Sequence, residues 1–104
     1  MPDQIVWNST QAQVFFQIIF WGLKVPRNIV GNQVMLIRNE RGWSQEKFAS
    51  ICQLKGWDVS RGVIARIEGG VRWVADFEVL KLAAALDVSV PQLYPKRHQA
   101  AFED

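Results

Sequence analysis

The chain has 104 residues, enough for one domain around one core, and its 49% hydrophobic and 21% charged composition belongs to a folded soluble protein, not a disordered one. A single cysteine, Cys52, excludes an internal disulfide and fits a reducing compartment such as the cytoplasm; a single histidine, His98, leaves too few parts for a zinc site or a histidine-based catalytic triad. The net charge is only +2, but residues 24–72 hold nine Lys/Arg against four Asp/Glu, a net of +5, which suits a phosphate-binding surface as well as a merely solvated one.

Residues 1–28 form an N-terminal extension that the composition allows to be helical. Its stretch 14–25 is strongly apolar and carries one charge, Lys24. That is short of the roughly 20 residues a membrane span needs, and it lacks the basic start and small-residue cleavage site of a signal peptide, so no membrane association is expected. Three readings stay open: a helix packed on the domain or on a second copy, a lipid-facing anchor, or a segment without fixed structure or outside the natural mature chain. Burial against a partner or in a dimer interface best avoids the aggregation hazard of so apolar a surface.

Beyond residue 28 the chain reads as helices. Val30, Val34, Ile37 and Arg41 recur at spacings of four and three and share one helical face, and Gly42 ends that helix. Ser44 is an N-cap for a second helix from Gln45 to about Leu54, with Phe48, Ala49 and Cys52 inward and Cys52 a small core residue. Trp43 and Trp57 are expected to cover the edge of the core, and Trp73 to pack into it. Ser60 caps a short third helix to about Glu68, with Ile64 and Ile67 inward and Gly69-Gly70 as its stop. Asp76 is the expected cap of a fourth, Phe77 to Leu86, burying Phe77, Leu80, Ala83 and Ala84. Ser89 and Gln92 have the spacing of a capping box before a last turn carrying Leu93 and Tyr94. Residues 29–94 thus form an all-α unit, followed by a tail, 95–104.

The second and third helices, each capped and joined by a compact connection, have the pattern of a helix-turn-helix. The third would enter the major groove and present Ser60, Arg61, Gly62, Ala65 and Arg66, where an arginine can donate a bidentate pair to guanine worth roughly 1–3 kcal/mol of discrimination. Gly31, Val34, Arg38, Gly42-Trp43-Ser44-Gln45, Phe48-Ala49, Ser60-Arg61, Ile64, Ile67-Glu68-Gly69-Gly70, Leu80, Leu82-Ala83-Ala84-Ala85-Leu86, Val88-Ser89-Val90 and Leu93 together resemble the Cro/lambda-repressor-like (XRE) family of transcriptional regulators. The resemblance covers about two-thirds of the chain and implies a five-helix lambda-repressor-like fold. It implies that Gln45 contacts a phosphate, that Arg61, Gly62 and Arg66 occupy base-reading positions, that Arg72 contacts the DNA backbone, and that Arg38 and Glu68 form a structural ion pair. Lys47 joins Gln45 and Arg72 as a phosphate contact.

Double-stranded DNA is therefore the expected partner, bound by a homodimer whose recognition helices meet successive major grooves about 34 Å apart. No catalytic residues, metal or cofactor are expected. Two other roles suit the same fold: an antitoxin that binds a toxin through residues 14–25 as well as its own promoter, or a protein-interaction module that has lost DNA binding. Two features are unusual. Ala49 and Ile64 lie fifteen residues apart, which lengthens the turn by five residues over about Leu54 to Asp58 and offers Lys55 as an added contact. Gly62, inside a helix, costs about 1 kcal/mol relative to alanine and offers a base no side chain.

Overall fold

In the computed structural model, residues 8–17 and 26–103 are described. Most of the apolar stretch 14–25 lies outside them. Helix α1 (Ser9–Gln17) begins at Asn8, whose Oδ1 accepts from the Gln11 amide at 2.7 Å while Gln11 Oε1 accepts from the Asn8 amide. The main body is built from α2 (Gly31–Glu40), α3 (Gln45–Leu54), α4 (Arg61–Glu68), α5 (Asp76–Leu86) and a 3-10 turn, Val90–Leu93. A short α6 (Lys96–Gln99) and a 3-10 turn, Ala100–Phe102, follow, with Phe102 set against Tyr94 at 5.1 Å between ring centroids. The described residues include no strand. No described helix is long and apolar enough to cross a membrane.

Local chemistry sets most of these boundaries. Ser44 Oγ accepts from the Lys47 amide and Ser60 Oγ from the Val63 amide, so α3 and α4 both start on a hydroxyl cap worth about 1 kcal/mol. Gly42, Gly56 and Gly70 take positive φ where α2, α3 and α4 end, a conformation that a side chain disfavours. In the last turn Gln92 Oε1 accepts from both the amide and the hydroxyl of Ser89.

One core joins the helices. Val34 of α2, Phe48 and Cys52 of α3, Ile64 and Ile67 of α4, Leu82 and Leu86 of α5, and Leu93 of the last turn are all fully buried. Burial pushes the Cys52 thiol up to about 11, so it packs as a small apolar group. Trp43 and Trp57 lie half-buried at the core's rim, with Trp43 stacked 6.2 Å from Phe48.

Two sequence expectations fail on α5. Its N-cap is Ala75, one residue before Asp76, and the first amides are held by Glu78 Oε1 on Ala75 N and Asp76 Oδ1 on Phe77 N. Its buried face carries Glu78, Val79, Leu82, Ala83, Ala85 and Leu86, whereas Phe77 and Leu80 are 58% and 61% exposed and Ala84 is also exposed. Apolar residues surround this helix, so periodicity admits two faces, and packing against α2 and α3 selects the one that also lets Glu78 meet Arg72. Trp73, expected in the core, is 72% exposed, in the loop that joins α4 to α5.

Candidate DNA-binding surface

The α3–α4 corner presents the second capped helix with its first turn outward. Arg61 and Arg66 of α4 and Lys47 of α3 are exposed, and no hydrogen bond to the Lys47 ammonium or the Arg66 guanidinium is found among the described residues. Behind them runs a polar chain. Arg38, only 8% exposed, donates from Nη1 to the Trp43 carbonyl at 2.6 Å and from Nε and Nη2 to the two Glu68 oxygens at 2.6 and 2.9 Å. Glu68 Oε1 also accepts from Gln45 Nε2 at 3.0 Å, and Gln45 Oε1 accepts from Arg61 Nη1 at 3.2 Å. The chain thus runs from the end of α2 through both later helices to Arg61. The Glu68 carboxylate raises the pKa of Arg38 further above its ordinary value, opposed by desolvation.

The placement of Gln45 is informative. Its amide spans a buried carboxylate and an exposed guanidinium, so it orients Arg61, and one Nε2 hydrogen remains for another acceptor. Gly62 is half-buried, and a Cβ there would approach nothing closer than the Arg66 guanidinium at 3.6 Å. Ser60 uses its oxygen as the α4 cap and keeps its O–H free to donate.

Much of the basic charge in residues 24–72 serves the fold instead. Arg38 is committed to Glu68. Arg41 donates from Nε and Nη2 to the Leu86 carbonyl, and Lys55 Nζ donates to the Ala84 carbonyl at 3.1 Å, so both cations sit at the C-terminal end of α5, where the helix dipole favours positive charge. Lys55 is thus drawn back onto the body, and the long turn is closed by Gln53 Nε2 bonding the Val59 carbonyl at 2.7 Å. Arg72 is bidentate on Glu78 at 3.0 Å and also bonds the Trp73 carbonyl.

Arg72 holds the Glu78 carboxyl below its ordinary value of 4.5, with the Ala75 amide helping and desolvation opposing. A carboxyl depressed in the folded state contributes its full stability above the unfolded value and loses it as pH falls through the folded one. Glu78→Gln should therefore lower stability at pH 7 by about 1 kcal/mol and flatten its decline below about pH 4.5. Urea unfolding at pH 7 and pH 3 checks both; an unchanged acid limb would show that the pair contributes nothing.

Sequence reasoning missed Asn28. Its Oδ1 accepts from the Gly31 amide at 2.7 Å, and its Nδ2 donates to the Ile67 and Arg72 carbonyls at 3.1 and 2.9 Å. One amide thus fastens the start of α2 to the end of α4 and the loop beyond. An Asn three residues ahead of the first helical amide was the available signal.

Two capped helices meeting at a closed turn, with the second exposing Arg61 in its first turn and Arg66 in its last, define a helix-turn-helix DNA-binding protein. The helix-turn-helix family profile matches residues 34–93, more than half the chain, and the chain belongs to that family, in its XRE-type branch. No curated protein matches significantly. Among solved structures, the restriction-modification controller protein C.AhdI from Aeromonas hydrophila is 31% identical at a TM-score of 0.55, over 62% of this chain and 87% of that one. A hypothetical transcription factor, NHTF from Neisseria, is 28% identical at a TM-score of 0.59, over 76% of this chain and 86% of that one. The chain is a DNA-binding transcriptional regulator of all-α, lambda-repressor-like fold.

Proposed function

We propose that this regulator occupies a specific operator as a pair of copies, with α4 in the major groove, and acts by binding, without catalysis, in the cytoplasm. The observation that carries the reading is the hydrogen-bonded chain from Glu68 through Gln45 to Arg61, which holds an exposed guanidinium at the first turn of α4. Preorganisation of this kind reduces the rotamer entropy lost on binding. Arg61 and Arg66 read base edges, and Gly62 lets the α4 backbone approach them. Lys47, Ser60 and the free N–H of Gln45 meet phosphates. Arg72 enters chiefly as the brace of the loop after α4, because Glu78 compensates its charge; its side chain, 31% exposed, leaves a lesser phosphate contact.

The test is selection from randomised duplex DNA. Arg61→Ala should change the selected sequence at its contact position, with a loss of about 1–3 kcal/mol on the original site. Lys47→Ala should weaken all sequences alike and reduce the salt slope by about one. A wild-type protein that selects no sequence at low salt would sink the operator reading.

A further inference from the structure

Between the start of α2, the end of α4 and the start of α6 lies a cavity of about 280 Å³. Ligand pockets begin at roughly 300 Å³, so this one suits a small metabolite. Its walls differ in character. Pro26, Ile29 and Pro95 make one side apolar, and Asn32 and Gln33 of α2 add amides. Arg97 of α6 supplies a cation, and no hydrogen bond or ion pair to its guanidinium is found among the described residues. The remaining wall is the end of α4, at Glu68 and Gly69. No hydrogen bond to either of their carbonyls is found among the described residues. The last carbonyls of a helix carry its negative partial charge and need donors. The Glu68 carboxylate adds no free charge, because Arg38 and Gln45 hold it.

From this we infer that the cavity binds a small zwitterion of the α-amino-acid type. Its carboxylate pairs with Arg97, its ammonium donates to the α4 carbonyls, and a short side chain lies against Pro26, Ile29 and Pro95. One ligand thereby satisfies a cation and a helix end together. A simple carboxylate would leave the carbonyls without a donor, and a simple amine would leave the guanidinium without an anion. The site is also joined to the DNA-binding surface. Glu68 lines the cavity and anchors Gln45, which in turn holds Arg61. A ligand that ties α6 to the end of α4 steadies the residue from which Arg61 is held, so it tightens DNA binding. By linkage, DNA then tightens the ligand by the same factor. This coupling, unlike the site itself, rests on the reading of Arg61 given above.

Titration calorimetry of the full chain without DNA tests the site, with free glycine, alanine, serine, proline and valine as separate probes. At least one should bind at one site per chain with a Kd below about 1 mM. Its carboxamide and its N-acetyl derivative should each bind at least about tenfold more weakly, since each lacks one charge. Arg97→Gln should weaken the amino acid by a similar factor, and Arg97→Lys by less. Arg97 is exposed, so circular dichroism and Tm of both variants should stay at the wild-type values. A full chain that binds none of the five probes overturns the site, and so does binding that Arg97→Gln leaves unchanged. Equal binding of the carboxamide or the N-acetyl form overturns the zwitterion. At saturation, the bound amino acid should tighten the selected DNA at least about fivefold. An unchanged DNA affinity overturns the coupling and leaves the site in place. A protein that selects no DNA removes the operator reading, and the calorimetry without DNA still decides the site.

Discussion

Glu68→Ala should cost about 3–5 kcal/mol of folding stability, because it leaves the Arg38 guanidinium charged and without its carboxylate in a site where only a tenth of that side chain reaches solvent. Against a total of about 5–15 kcal/mol for a domain this size, that approaches unfolding. The loss has two parts. Three hydrogen bonds disappear, two from Arg38 and one from Gln45. The third also frees Gln45, which then no longer fixes Arg61. The folded fraction should therefore bind its selected DNA more weakly than wild type, although Glu68 itself stands behind the reading surface. Two controls separate these parts. Replacing both partners by apolar residues, Arg38→Met with Glu68→Leu, should recover most of the stability, since no buried charge is then stranded. It should not recover the DNA affinity, because Gln45 still lacks its anchor. Urea unfolding together with a binding titration reads both. A Glu68→Ala protein within about 1 kcal/mol of wild type would show that solvent reaches Arg38 and that the pair is not structural.

Gly31→Ala should be nearly as damaging, by about 3 kcal/mol, lowering Tm by roughly 10–20 °C. In most helices glycine to alanine is stabilising. Here a Cβ on Gly31 would overlap the Ile67 carbonyl oxygen and come within 2.9 Å of Asn28 Oδ1. The Ile67 carbonyl is backbone and is itself held by Asn28 Nδ2, so it cannot swing aside without breaking the bonds that join α2 to α4. Thermal unfolding decides the matter. A Gly31→Ala protein as stable as wild type would mean that α2 slides freely over the end of α4. Asn28→Ala tests the same junction from the other side and should add little to Gly31→Ala, since the two act on one contact.

The two positions differ in how readable they were. Arg38 and Glu68 lie thirty residues apart, and only the family resemblance paired them. Gly31 belonged to that resemblance with no physical reason attached; the reason is the Ile67 carbonyl, far away in sequence. The basic stretch was legible as charge but not as function. Arg38, Arg41, Lys55 and Arg72 all turn toward a carboxylate or a helix end, and which cation stays outward depends on contacts between helices.

What the sequence by itself determined is local. Ser44 and Ser60 as caps, Gly42 and Gly70 as stops, and the inward series Phe48, Ala49, Cys52, Ile64 and Ile67 all act within a turn or two of the chain, so spacing alone reveals them. The order of these signals was enough to define the helix-turn-helix. What only the tertiary structure decided is what happens between elements. It chose the buried face of α5, because an all-round apolar helix has no single amphipathic period and its neighbours must select one. It linked Glu68, Gln45 and Arg61 into the hydrogen-bonded chain that holds the Arg61 guanidinium at the start of α4. And it left Trp73, Phe77 and Leu80 outside, where the sequence had counted them as core.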